Sequence, residues 1–157
     1  MPKISKELSI NISITISILL FIICIAAAII LPTLVNMLID TPDNIGSRDA
    51  ITSFGRVFVH MMSYLVLAAV LLADVLMYQL LRRVKNGLVF SDKSISLIRG
   101  VSWCCFLLCA AFFGLGIYFQ LAFVVSFLAA FLGMCLRVVK NTIEEAAEIK
   151  SENDLTV

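Results

Sequence analysis

Apolar residues run in blocks too long for the helices or strands of a soluble domain, and most polar residues fall between the blocks. A helix needs about 20 mostly apolar residues to cross roughly 30 Å of hydrocarbon. Four stretches, residues 10–31, 57–81, 101–118 and 120–136, approach or exceed that length. The pattern predicts an all-α integral membrane bundle of four transmembrane helices forming one domain over residues 1–157. An external loop is expected over residues 32–55, a cytoplasmic loop over 82–100 and a cytoplasmic tail over 137–157. Lys3 and Lys6 ahead of the first block give it the look of a signal peptide, but its apolar run exceeds the ~7–15 residues of such a segment. Ile23 before Cys24 is also too large for a lipoprotein cleavage site, so the block is read as a retained helix.

The loops carry their own punctuation. Pro32 and the group Asp40, Pro42, Asp43, Asn44 and Gly46 mark the first loop, and residues 31–40 in front of that group fit a short interfacial helix. In the second loop, Arg82, Arg83 and Lys85 suit the carboxyl end of a helix, and Gly87 supplies the left-handed residue that ends one. Ser91 is placed to cap a new helix through the amide of Lys93 or Ser94, with Phe90 stapled onto Ile95. That helix, residues 92–99, is expected to lie at the membrane surface before entering the third span. The third and fourth spans are separated by GLGIYFQL, which has no charge, so they are expected to pack as an antiparallel hairpin with Tyr118 at the outer interface. Beyond Arg137, Val139, Ile143, Ala146 or Ala147, and Ile149 recur at helical spacing with Glu144, Glu145 and Glu148 mostly opposite, which extends the fourth helix past the bilayer. Its acidic residues argue against contact with anionic lipid and for packing on the basic second loop or on a partner.

Composition strengthens the membrane reading: 61% of residues are hydrophobic and 15% charged, against about 45–50% and about 25% in soluble domains. Net charge is only +1, but ten of the twelve basic residues fall at the termini or in the second loop, and only Arg48 and Arg56 lie in or beside the first. By the positive-inside rule, both termini and the second loop face the cytoplasm of a bacterial cell membrane. All five cysteines sit within or at the edge of apolar spans, which implies no disulfide framework.

Only His60 and Asp74 are ionisable side chains well inside a span, and an intramembrane charge, which costs about 2.5–3.5 kcal/mol on insertion scales, invites a functional reading. Their separation of 14 positions returns to nearly the same helix face. The plainer reading puts His60 near headgroups and bonds Asp74 to a serine, tyrosine or glutamine such as Gln79. Cys105 and Cys109 share a face with Cys104 nearby, but no histidine or carboxylate accompanies them in sequence and small apolar packing is the simpler role. No nucleophile with its base, phosphate loop or metal set appears, so neither enzyme activity nor a cofactor is expected.

Two segments, NGLVFSDKSISLIRG at 86–100 and ENDLTV at 152–157, together with the four-span layout, resemble a bacterial family of small four-helix integral membrane proteins of unknown function. The family often carries Asn where Lys93 or Ser94 stands here. The resemblance implies a gene neighbourhood with a small Cro/C1-type helix-turn-helix regulator. It therefore implies a cytoplasmic partner docked on Phe90, Ser91 and Asp92 or on Glu152, Asn153, Asp154, Leu155 and Val157, the last group adding as a strand or filling a pocket. A non-enzymatic membrane regulator or sensor is the leading expectation, with no direct nucleic acid binding, the lipid bilayer as solvent, and homo-oligomers permitted. The alternatives are an immunity or membrane-stress protection protein acting through the first loop and a small ion- or proton-coupled transporter relying on Asp74.

Overall fold

The structure, a computed structural model, describes residues 6–40, 53–88 and 90–155, with the side chains of 6, 7 and 151–155 outside the description. Four helices account for nearly all of it: α1 (Lys6–Asp40), α2 (Ser53–Lys85), α3 (Asp92–Gly116) and α4 (Gln120–Leu155). Each is long and apolar enough to cross a membrane, and the fold is all-α as expected. At 1.5 Å per residue, the 36 residues of α4 reach about 54 Å, well beyond the roughly 30 Å of hydrocarbon.

Two segments expected as separate pieces are continuous with their neighbours. Residues 31–40 extend α1 straight through Pro32 instead of lying apart. The expected loop 32–55 is thus helical over 32–40 and 53–55, and residues 41–52 lie outside the described residues. Residues 92–99 likewise form the first turns of α3 without a break. In both cases a helix carries its own backbone hydrogen bonds past the hydrocarbon boundary and has no reason to stop there.

Packing follows chain order. Among the described residues, Cα atoms of different helices approach within 8 Å only for α1 with α2, α2 with α3, and α3 with α4. α2 and α3 therefore each have a neighbour on both sides; α3 is the more covered, with Ile95, Ile98, Val101, Cys104 and Ala111 buried and a third of its apolar window (33%) covered against 6% for α2 and 11% for α1. At one end, Val35, Val59 and Leu115 form a core on which Tyr118 packs, its ring 6.0 Å from that of Phe58. Asp40 and Arg56 pair at the same end. The uncovered faces are studded with large apolar side chains such as Ile29, Met37, Leu121 and Phe127, the surface that lipid rather than water accepts.

The α3–α4 seam is the closest. Ser102 Oγ donates to the Gly133 carbonyl at 2.9 Å and Ser126 Oγ to the Cys109 carbonyl at 2.8 Å. A Cβ on Gly133 would stand 3.3 Å from both Cys105 Cβ and the Phe106 ring. Small residues and hydroxyls at the contact let backbones approach where no hydrophobic force drives helices together. Gly133→Leu is expected to separate α3 from α4 and cost about 1–3 kcal/mol by overpacking, seen as a lower thermal unfolding midpoint in detergent, whereas Gly133→Ala costs less.

Candidate functional site

The polar residues that matter gather at the end opposite Tyr118. α2 ends there in a Schellman turn: Gly87 has φ +75°, its N–H donates to the Val84 carbonyl at 3.1 Å, and the Leu88 N–H donates to the Arg83 carbonyl at 3.0 Å. This is the ending that Gly87 and its basic neighbours predict. Ser91 caps α3, its side chain accepting from the Ser94 N–H at 3.4 Å. Ser94, fully buried, donates from Oγ to the Leu88 carbonyl at 2.7 Å, and Ser91 Oγ donates to the same carbonyl at 3.1 Å. Two hydroxyls thereby tie the connection to the first turn of α3 and fix where Phe90 and Asp92 stand.

Against that first turn lies the extension of α4. Glu144 Oε1 is 3.8 Å from Arg99 Nη2, and Glu144 also takes an ion pair from Lys140 one turn earlier. The acidic face is therefore divided: Glu144 turns toward α3 instead of standing opposite it, while Val139 and Ile149 from the apolar set are exposed. Between the two helices runs a groove of about 440 Å³ walled by Phe90, Asp92, Ile95, Ser96, Arg99, Glu144, Ala147 and Glu148. Phe90 is half exposed on its edge. Asp92, Glu148 and the Arg99–Glu144 pair surround Phe90, Ile95 and Ala147, so the groove is mostly polar with an acidic excess.

Other expected residues fall elsewhere. Helical backbone runs through Leu155, so Glu152, Asn153, Asp154 and Leu155 prolong α4 and do not form an extended strand; Val157 lies outside the described residues. His60 and Asp74 serve separate contacts. The His60 ring donates from Nδ1 to the Arg56 carbonyl at 2.9 Å, within its own helix near the Tyr118 end. Asp74 Oδ1 accepts from Ser17 Oγ at 2.7 Å, which joins α1 to α2 beside a small cleft lined by Phe21, Val75 and Tyr78. Asp74 thus finds a serine within the bundle, on α1, while Gln79 lines the basic clefts near Arg83. Among the described residues no three His, Cys, Asp or Glu side chains gather as a metal set, and Cys109 lies 3.4 Å from Ser126 Oγ in the α3–α4 seam.

Sequence reasoning missed Ser17, Ser94 and Glu144 as positioning residues. Ser13 and Thr15 in the same region bond only to carbonyls four residues back, so nothing in their spacing singles out Ser17. For Ser94 the signal was present in the cap motif, but its bond to Leu88 reaches back six residues, beyond any cap pattern.

Four long apolar helices with their few polar side chains bonded to backbone or to one another define a multi-pass integral membrane protein. Residues 43–157 match the model of a family described as a protein of unknown function, DUF2975, and the chain belongs to that family. α1 precedes the matched region. No curated protein and no solved structure matches the chain significantly.

Two expectations check these assignments. In a double-mutant cycle, Ser17→Ala and Asp74→Leu are expected to show a coupling of about 0.6–1.7 kcal/mol, the range for hydrogen bonds between membrane helices, measured by unfolding in mixed micelles. Ser94→Ala is expected to lower stability by about 0.5–1.5 kcal/mol, because it removes one of the two hydroxyl bonds to the Leu88 carbonyl, while Ser96→Ala changes it little.

Proposed function

We propose that the protein is a non-enzymatic regulator or sensor of the bacterial cell membrane that holds a soluble cytoplasmic partner in the α3–α4 groove. The observation that carries this reading is the groove itself: a mostly polar cleft with an acidic excess that also presents Phe90, Ile95 and Ala147, its α3 wall tied to the α2–α3 connection through the Ser91 and Ser94 bonds. Such a groove suits an amphipathic segment with basic flanks, since apolar anchors supply contact while opposite charge sets orientation and encounter rate. A small helix-turn-helix regulator has that character, because a protein that binds DNA carries clustered Lys and Arg. A basic surface held against Asp92, Glu144 and Glu148 is withdrawn from DNA, so binding at the membrane and binding to DNA compete. The chain itself has no need to touch nucleic acid. α3 also supplies a route for a signal, since one helix runs from the groove to the Leu115 core at the opposite end. The helical backbone of α4 continues beyond the groove to Leu155.

Phe90→Ala and Ala147→Arg are expected to weaken retention of the helix-turn-helix regulator expected from the neighbouring gene by at least about tenfold, since truncating a buried aromatic anchor typically removes 2 kcal/mol or more of binding. Co-purification from mild detergent after co-expression measures this, with unfolding midpoints taken in parallel. A chain ending at Ser151 is expected to bind more weakly but still detectably. Undiminished co-purification by both groove variants, each with the native unfolding midpoint, would refute the docking role.

A further inference from the structure

A second cleft lies on another side of the same helix pair, and its chemistry is opposite to that of the groove. It encloses about 290 Å³ and is lined by Arg99, Ser102 and Trp103 from α3 and by Arg137, Lys140 and Asn141 from α4. Each helix contributes positions i, i+3 and i+4, so one turn of α3 faces one turn of α4 across it. We propose that this cleft binds the phosphate headgroup of an anionic phospholipid, a role independent of any soluble partner.

Three features of the cleft support this. Among the described residues, its three cations have one carboxylate partner, Glu144, shared by Arg99 and Lys140, and none pairs with Arg137. Arg137 is instead held over two aromatic rings, its guanidinium carbon 5.7 Å from the Trp103 centroid and 5.6 Å from that of Phe106. Stacking restrains the guanidinium before a ligand arrives, which reduces the ordering cost of binding. The donor set also matches a phosphodiester: two planar guanidinium forks, one ammonium and one side-chain amide can serve several tetrahedral oxygens at once.

The surroundings select a lipid over free phosphate. Trp103 is 61% exposed beside the cations, the arrangement of an indole at the headgroup level. One turn toward the middle of the helices, Leu107 on α3 and Met134 on α4 are exposed and apolar. Acyl chains attached to a headgroup in the cleft have that stripe to lie on, and inorganic phosphate gains nothing from it. Basic pockets between helices at the cytoplasmic surface are a recognised form of anionic lipid site.

Trp103 is the chain's single tryptophan, so its fluorescence reports on this cleft alone. Full-length protein is reconstituted in phosphatidylcholine vesicles containing a varied fraction of brominated phosphatidylglycerol or, separately, brominated phosphatidylcholine. Bromine quenches at short range. The expected result is half-maximal quenching at a lower mole fraction of the phosphatidylglycerol, with the preference reduced about fivefold in Lys140→Gln and at least as much in Arg137→Gln, as roughly 1 kcal/mol per surface cation implies. The double variant Arg82→Gln/Arg83→Gln, on α2, retains the preference. Equal quenching by the two lipids would overturn the proposal, and so would a preference that survives both cleft variants. Equal loss in the α2 double variant would mean general surface attraction. Abolition of the preference by millimolar inorganic phosphate would mean an ion site, and either of these results also overturns the assignment.

Discussion

In hydrocarbon no water is present to satisfy a peptide N–H or C=O, so a chain that crosses it must bond its own backbone. That constraint makes every span of this protein a helix, and it shapes the side chains too. Ser63, Ser102 and Ser126 all donate to main-chain carbonyls, and among the described residues no buried side-chain polar atom is left without a partner. The hydroxyls of Ser102 and Ser126 reach carbonyls on the facing helix, so the same requirement that builds the helices also joins α3 to α4. Asp74 obeys it in another form, by taking its hydrogen bond from Ser17 across the α1–α2 contact.

Because neighbours pack in chain order, α2 and α3 have helices on both sides while α1 and α4 each lean on one. Polar structure then concentrates where helices leave the apolar layer. At the Tyr118 end it is slight, an ion pair and an aromatic contact closing the core. At the opposite end, the Schellman turn after α2, the double-serine anchor before α3 and the Arg99–Glu144–Lys140 cluster produce two clefts of opposite electrostatic character from a single helix pair. Glu144 draws two cations toward the boundary between the clefts, while Arg137 is left to the aromatic rings.

The spans were legible because apolar length is a direct consequence of bilayer thickness, and the end of α2 was legible because Gly87 and the residues around it encode a local backbone geometry. The cap on α3 was equally local. Residues 31–40 and 92–99 were harder: the sequence marks where the apolar run stops, whereas a helix stops only where its backbone bonding does, and Pro32 leaves α1 unbroken. The tail was legible as a helical extension whose acidic residues pack on the basic second loop, as the Glu144–Arg99 pair does, although the helical period alone does not single out Glu144 as the residue that turns to α3. Site residues that depend on contacts between helices, such as Ser17 with Asp74 or Arg137 with Trp103, have no signature along the chain, because the pairing is set by the register of the helices and not by spacing within either one.

The groove at the ends of α3 and α4 is the centre of the functional account, and contact at that groove is best measured in intact cells. A photo-crosslinking amino acid placed at Ser96, on the groove wall, is compared with one at Phe54, at the far end of α2. The account predicts a single crosslinked product with the co-expressed helix-turn-helix regulator from Ser96 and none from Phe54. Absence of that product from Ser96, or equal yields at the two positions, would contradict it.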